Sequence, residues 1–219
     1  TATTLTNHIR GTLRSFGIST AGLTADALPN KIMEILPNDL KYALDELVEE
    51  LQMIKNKIKN YDKKLQDMCK KHPETKILQQ ITGVGPITAL TFALIIANPK
   101  RFANGGRLGS FIGLVPRRDQ SGAVDKQLGI TKAGNTMLRK YLVQAANYIM
   151  GPFGKDCDLR HYGERIAAKG GKISRRKAKI AVARKLAIVM WRLWLNDAEY
   201  EPLHKLQKKQ KRKANHLAA

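Results

Sequence analysis

One long heptad repeat near the start of the sequence constrains the fold of this chain more than any other feature. Apolar residues recur at alternating steps of four and three: Leu40, Leu44, Leu47, Leu51, Ile54, Ile58, Tyr61, Leu65 and Met68. This spacing is typical of a coiled coil and predicts a helix roughly 43 Å long, at about 1.5 Å per residue. So narrow an apolar stripe must be buried against another helix, either the segment Thr3 to Phe16 of the same chain or a second copy of the chain.

The charges along this predicted helix favour one orientation for a second copy. Its first half is acidic, through Asp45, Glu46, Glu49 and Glu50. Its second half is basic, through Lys55, Lys57, Lys59, Lys63 and Lys64. Antiparallel pairing of two copies would place the acidic half of one helix beside the basic half of the other. The acidic half also has an explanation that needs no partner, because acidic residues interact favourably with the dipole at a helix N-terminus. We expect an antiparallel homodimer.

The excess positive charge is concentrated beyond the heptad helix. The 219-residue chain has a formal net charge of +21 and is 43% hydrophobic, enough to supply a folded core. Residues 78–200 carry 21 basic and 7 acidic residues, whereas residues 1–77 carry 12 and 10. A polyanion is therefore expected to meet the chain beyond residue 77, and nucleic acid is the leading candidate. The alternative is a basic surface with no specific partner.

The cysteines and the absence of a long apolar run limit the class of protein. Cys69 and Cys157 show neither CxxC nor Cys/His spacing, so the sequence indicates no disulfide framework and no zinc site. Reduced thiols, together with no apolar run near 20 residues, predict a cytoplasmic protein without a membrane span. Because the sequence opens at Thr1 in a helix-like stretch, without an initiator Met, we expect a fragment whose N-terminal portion is absent.

The pattern of the whole sequence predicts a mainly α-helical fold in three segments. Residues 1–77 are a helical linker and coiled-coil dimerisation region, residues 78–200 a compact helical domain, and residues 201–219 a basic tail. Within the middle segment one helix is predicted from about Asn135 to Met150. Another is predicted from an N-cap at Ser174 to about Asn196.

The stretch ITGVGPITAL has the form of a helix-hairpin-helix. In this motif a Gly-hydrophobic-Gly turn, here Gly83, Val84 and Gly85, brings backbone N–H groups and a helix N-terminus against a phosphate. Glycine is needed because a side chain would hold the phosphate away. A glycine-rich turn between two packed helices without a ligand has the same sequence, so both interpretations stay open.

The stretch GLVPRRDQSGAVDKQLGITKAGN places Ser121 among cations. A serine before a glycine is ordinarily a turn former. The alternative is a nucleophile, since Gly122 lets the backbone approach a substrate and nearby cations would neutralise an attacked phosphate: Arg117, Arg118, Lys126 and Lys132. Two further cations on the next predicted helix could hold neighbouring phosphates: Arg139 and Lys140.

The last predicted helix carries a second cluster of cations beside a Gly-Gly turn. This cluster comprises Arg175, Arg176, Lys177 and Lys179. In so basic a segment the cluster favours contact with a DNA or RNA backbone, and the alternative is a solvated helix face.

Four stretches in this order closely resemble the C-terminal domain of a family of bacterial insertion-sequence transposases: ITGVGPITALTFALI, GRLGSFIGLVPRRDQSG, LGITKAGNTMLRKYLVQAA and KLAIVMWRLW. Relatives of this family include pilin-gene invertases, and its members have a RuvC-like N-terminal domain with a DEDD carboxylate set. The stretch LTNHIRGTLRSFGI and the heptad helix resemble the segment that joins the two domains. The resemblance therefore covers almost the whole chain.

The resemblance implies a chemistry for Ser121. The serine of the Ser-Gly pair after GLVPR is taken to be the family's nucleophile, which attacks a DNA phosphodiester to form a phosphoserine linkage that a DNA hydroxyl later reverses. The DEDD carboxylates and Mg²⁺ would come from the RuvC-like domain, which this sequence lacks. Asp119 and Asp125 flank Ser121 but do not make such a set. Some members are guided by a structured noncoding RNA, so the implied partners are DNA and a guide RNA.

We therefore expect part of an RNA-guided serine transposase that binds nucleic acid, assembles as a dimer or a tetramer, and does not recombine DNA alone. The alternative is a non-catalytic helix-hairpin-helix module that binds DNA or RNA, in which Ser121 is a turn residue. A third possibility is an assembly scaffold built on the coiled coil, for which the basic face between Arg175 and Lys185 would be dispensable.

Overall fold

The computed structural model describes residues 1–121 and 124–204, with the backbone alone described over 119–121 and 124–127. As predicted, this part of the chain is mainly α-helical. Its helices are α1 (Ala2–Ser15), α2 (Leu28–Ile35), α3 (Asn38–Lys70), α4 (Glu74–Leu78), α5 (Pro86–Ile96), α6 (Gly105–Ile112), α7 (Thr136–Ile149), α8 (Asp158–Ala167) and α9 (Gly171–Asn196), with a 3₁₀ turn at Pro99–Arg101. Two strands, β1 (Pro116–Ser121) and β2 (Val124–Ile130), form an antiparallel pair that the sequence analysis does not predict. None of the helices described is both long and apolar enough to cross a membrane.

The chain divides into two compact units, Thr1–Gln66 and the residues from Asp67 onward. The core of the first unit is formed by α1, α2 and the first half of α3. Its buried side chains include Ile9, Leu13, Leu28, Ile32, Leu44, Val48 and Leu51. The first half of the heptad stripe is thus buried by helices of its own chain, which is one of the two partners that the spacing predicts.

The second half of the heptad stripe is exposed. The helix itself is continuous from Asn38 to Lys70, so the prediction of one long helix is confirmed. Beyond the core of the first unit, Ile58, Tyr61 and Met68 are 47%, 66% and 44% exposed. The coiled coil stays a prediction, and it now concerns this second half.

The core of the second unit surrounds α9, which packs against α4, α6, α7 and α8. The chain enters α7 through Asn135, whose side chain accepts a hydrogen bond of 2.9 Å from the backbone N–H of Leu138. Helix α5 is largely apolar and buries most of its side chains, although Ile87 and Leu94 are exposed. Fully buried side chains from these helices include Phe92, Leu138, Leu142, Leu186 and Met190.

Helix α9 begins earlier than the sequence predicts. Its first residue is Gly171 and its N-cap is Gly170, so the prediction of Ser174 as the N-cap is wrong. Gly170 and Gly171 have φ values of +84° and +78°, which glycine adopts without strain. The chain therefore turns into the helix at the glycine pair, and Ser174 lies within the first turn.

Candidate nucleic-acid interface

Ser121 is the last residue of strand β1 rather than a loop residue. β1 and β2 are antiparallel, and the backbone of Ser121 lies opposite that of Val124. A register shift next to Pro116 marks a β-bulge, which adds twist to the strand pair. Gly122 lies outside the described residues, as do the side chains of Ser121 and Lys126. The predicted nucleophile is thus placed at the end of the strand pair farthest from α6 and α7.

The base of the strand pair, where residues 113–115 lie beside residues 131–132, is held by backbone hydrogen bonds. The N–H of Thr131 donates to the carbonyl of Val115 at 2.9 Å, and the N–H of Lys132 donates to the carbonyl of Gly113 at 3.2 Å. Three of the predicted cations, Arg117, Arg118 and Lys132, are exposed around this base. Since successive strand residues project to opposite faces, Arg117 and Arg118 place positive charge on both sides of the pair.

The side chain of Arg139 makes hydrogen bonds within the chain. Its guanidinium donates to the carbonyl oxygens of Ile112 (3.2 Å), Ala133 (2.7 Å) and Gly134 (3.1 Å), and to the hydroxyl of Thr136. These bonds tie the end of α6 to the segment that precedes α7. Because the guanidinium is already bound to these carbonyls, it has few donors left for a phosphate, and phosphate binding by Arg139 stays a prediction.

Arg139→Ala should lower the free energy of unfolding by about 2–3 kcal/mol, because three carbonyls lose a charged donor. The matched change Lys140→Ala, at the exposed next position, should alter stability by less than about 0.5 kcal/mol and should weaken nucleic-acid binding instead. Urea unfolding followed by circular dichroism measures the first effect, and fluorescence anisotropy with labelled DNA measures the second. Equal stability of the two variants would contradict a structural role for Arg139.

The predicted helix-hairpin-helix turn lies against α7. Gly83 has a φ of +95°, and a Cβ at this position would lie 3.1 Å from the ring of Tyr148 and 3.3 Å from the carbonyl oxygen of Ala145. Val84 is buried, and Gly85 precedes α5 without any side-chain cap on that helix. A glycine at position 83 therefore has a packing explanation, and phosphate binding by this turn stays a prediction.

A cleft of about 500 Å³ lies between the base of the strand pair and α9. We call it the basic cleft. Its cations are Arg176, Lys177, Arg184 and Lys185, and its other lining residues are Leu114, Pro116, Leu128, Gly129, Ile130, Tyr162, Ile180, Ala181 and Ile188. Two of the four cations predicted on this helix thus meet the strand pair, whereas Arg175 and Lys179 are exposed outside the cleft.

The apolar lining is the part of this site that sequence reasoning missed, whereas Arg184 lies on the basic face predicted between Arg175 and Lys185. Arg184 is half-buried on α9 and packs over Gly109 of α6, where a Cβ would lie 2.9 Å from its Nε. Tyr162 and Leu128 come from two further elements. Because the cleft is assembled from segments far apart in sequence, no local pattern marks it, and the only signal is the basic face of α9.

The described residues offer no metal site. No three His, Cys, Asp or Glu side chains among them lie close enough together to hold a metal ion. The residues described here therefore do not fit a resident Mg²⁺.

Comparison with known proteins connects this site to a family. Residues 75–157, which include both strands, match the sequence model described as Transposase IS116/IS110/IS902 family. The transposase for insertion sequence element IS1111A of Coxiella burnetii is 31% identical over 212 residues, which are 90% of this chain and 56% of that protein. The transposase for insertion sequence element IS1328 of Yersinia enterocolitica is 28% identical over 193 residues, 85% of this chain and 56% of that protein.

A gene-inverting protein is also among the relatives. The pilin gene-inverting protein of Moraxella lacunata is 29% identical over 116 residues, 52% of this chain and 35% of that protein. The chain spans little more than half the length of the two transposases it matches. Through its segment 75–157 and these similarities, the chain is related to the transposases of the IS116/IS110/IS902 family.

Proposed function

We propose that this chain is the DNA-binding and strand-transfer part of an insertion-sequence transposase, with Ser121 as its nucleophile. The observation that carries the proposal is the family match over residues 75–157, which contains the strand pair with Ser121 at its end. The strongly basic segment from residue 78 to residue 200 supports DNA as the substrate. The similarity to a pilin gene-inverting protein supports recombination as the reaction class.

The proposed reaction is a transesterification at phosphorus. The Oγ of Ser121 attacks a DNA phosphodiester, a serine–phosphate bond forms, and the bond from phosphorus to one DNA oxygen breaks. The released DNA oxygen takes the proton that the serine loses and leaves as a free hydroxyl. A hydroxyl of the exchanged strand then attacks the phosphoserine, which restores the phosphodiester and the serine. Arg117 and Lys132, exposed around the strand pair, are the cations proposed to neutralise the developing charge.

A serine hydroxyl needs a base and an acid, and we assign these to a carboxylate domain outside this chain. The longer curated relatives have room for such a domain, since the chain spans 56% of the IS1111A transposase. Mg²⁺ belongs to that domain in this proposal.

A guide RNA is part of the proposal through the family resemblance. Exposed cations outside the basic cleft offer phosphate contacts to such an RNA: Lys140, Arg175 and Lys179. The turn of Gly83, Val84 and Gly85 is retained as a further backbone contact to DNA.

The test is a search for DNA covalently attached to the protein. The chain is produced together with any segment encoded before Thr1 and is incubated with element-end DNA, Mg²⁺ and co-expressed RNA. It is then denatured, digested and mapped by mass spectrometry. The proposal expects nucleotides on Ser121. Recombination without any adduct would assign the chemistry to direct hydroxyl attack and leave this chain a DNA-binding module with Ser121 as a structural residue. An adduct on another side chain would reject Ser121 as the nucleophile.

We also propose that the exposed half of α3 packs against a second copy of the chain. The apolar stripe continues past the first-unit core with Ile58, Tyr61 and Met68 exposed. Because α1 and α2 already cover the first half of the stripe, the proposed contact is made by the exposed second halves of the two copies, with the helices antiparallel.

Ile58→Asp should convert this dimer to a monomer, because each copy would bury a charge in the shared stripe. Met53→Asp is the matched control, since Met53 lies on the same helix, is 57% exposed and is outside the stripe. Sedimentation velocity across a concentration series reads the molecular mass. A wild-type chain that stays monomeric at all concentrations, or a dimer that survives Ile58→Asp, would reject this interface.

A further inference from the structure

We propose that the basic cleft holds one unstacked nucleotide of single-stranded DNA, with its base inside the cleft and its phosphates on the basic side chains. The inference deepens the proposed function and rests on it, since the DNA strand is the one presented to Ser121. Three properties of the cleft carry it: its charge, its apolar interior and its place beside β1.

The charge of the cleft fits an anion. The residues known to line it from the described part of the chain include four basic side chains and no acidic one. Arg184 is half-buried, and the structure shows no ion pair between its guanidinium and another described side chain. A phosphate diester satisfies such a guanidinium with charge-assisted hydrogen bonds.

The interior of the cleft fits a base. At about 500 Å³ the cleft is far larger than a phosphate needs, and its lining is largely apolar. Tyr162 contributes an aromatic ring, and Leu128 and Ile180 contribute apolar surface. Bases stack on aromatic side chains whatever their sequence, because every base has a π face. The combination of apolar interior and cationic rim matches a nucleotide better than a free phosphate.

The position of the cleft selects single-stranded DNA. Pro116 lines the cleft and begins β1, so Ser121 is at most about 17 Å away along the strand, at about 3.4 Å per residue. A base in the cleft therefore belongs to a nucleotide a few positions from the attacked phosphate. A paired base cannot enter such a cleft without leaving its stack. Among the described lining residues Tyr162 is the only neutral polar side chain, so few neutral groups there can recognise a ribose 2′-hydroxyl.

The test compares two oligonucleotides of equal charge on the 219-residue chain. An oligothymidylate of about 12 nucleotides and an abasic strand of the same length are labelled with fluorescein, and binding is read by anisotropy. Wild-type protein should bind oligothymidylate about tenfold more tightly, because stacking contributes only when a base is present. Tyr162→Leu should make the two affinities equal, whereas Tyr148→Leu, on α7 outside the cleft, should keep the preference.

A second pair of variants changes exposed side chains only, so a loss of binding cannot be attributed to unfolding. Leu128 is 39% exposed and Met137 is 57% exposed, so neither supports the core. Leu128→Glu should weaken oligothymidylate binding at least about tenfold, because it places a carboxylate inside the cleft. Met137→Glu makes the same change of net charge on α7 and should weaken binding less than about threefold.

Four results would overturn the inference, three of which concern nucleic-acid binding. These three are equal wild-type affinities for the two strands, a preference that survives Tyr162→Leu, and tighter binding of oligouridylate than of oligothymidylate, which would make the cleft an RNA site. Displacement of the DNA by an acidic peptide as effectively as by unlabelled oligothymidylate would assign the cleft to a protein partner. The Ser121 adduct is measured separately. An adduct without base preference rejects the cleft alone, and base preference without an adduct rejects the nucleophile.

Discussion

Replacing Ser121 by alanine should reduce recombination by about 10⁴-fold or more while leaving DNA affinity within about twofold of wild type. Loss of a catalytic nucleophile commonly costs a rate factor of this size, because the covalent step has no substitute. Binding is preserved because it depends on the many cations of the basic segment and not on one hydroxyl. The measurement is the rate of strand joining by the chain produced together with any segment encoded before Thr1. Fluorescence anisotropy on the same DNA measures the affinity.

Ser110→Ala is the control for this prediction. Ser110 is an exposed serine of α6 within the same family-matched segment, and its hydroxyl donates to the carbonyl of Gly106 at 3.2 Å. Losing this exposed bond should change the rate less than about twofold. If Ser121→Ala and Ser110→Ala recombine DNA equally well, Ser121 is not the nucleophile.

The helical part of the fold could be predicted from the sequence because its signals are local. The stripe of α3 follows a period that only a helix satisfies, and Asn135 precedes α7 as a cap. The spacing could not decide which surface buries the stripe. In the structure α1 and α2 cover its first half, a result of tertiary packing that the heptad pattern does not contain.

The strand pair could not be predicted because β1 has no apolar alternation. Its sequence is PRRDQS, with no hydrophobic side chain other than the proline ring. Burial of one face normally marks a strand, and here the described side chains of β1 are exposed. The pair is held by its backbone hydrogen bonds and by its base, so a search for hydrophobic periodicity finds a turn where the chain forms a strand.

The residues of the candidate site also fall into those that the sequence predicts and those that only the structure identifies. The cations of β1 and α9 were predicted as a set, since charge can be counted along a sequence. The division of that set required the structure: Arg139 binds carbonyls of its own chain, Arg176 lines the basic cleft, and Lys179 lies outside it. Tyr162 and Leu128 carry no sequence signal at all, because their importance comes only from lying on the same cleft.

The backbone before β1 crosses the backbone after β2 at two glycines, Gly113 and Gly134. Gly113 ends α6 with a φ of +76°, and Gly134 precedes α7 with a φ of +77°. A Cβ on Gly113 would overlap the carbonyl oxygen of Ala133, and a Cβ on Gly134 would overlap the carbonyl oxygen of Phe111. This backbone contact therefore closes the base from which β1 and β2 extend.

Gly113→Ala should lower the free energy of unfolding by about 4 kcal/mol or more, because the left-handed conformation costs about 1–2 kcal/mol and a backbone overlap must also be relieved. Gly134→Ala should do the same. The double variant should be less destabilised than the sum of the two, since both changes open one crossing. Gly129→Ala is the control, with no atom within 4 Å of its added Cβ, and should change stability by less than about 0.5 kcal/mol. Urea midpoints measure all four proteins. If Gly113→Ala is as stable as Gly129→Ala, the base of the strand pair is not closed by these two glycines. If Gly113→Ala is destabilised as expected, the Ser121 adduct should also be lost under conditions where the variant is still folded. The reason is that the contact between the two glycine segments positions the strand pair that carries the serine.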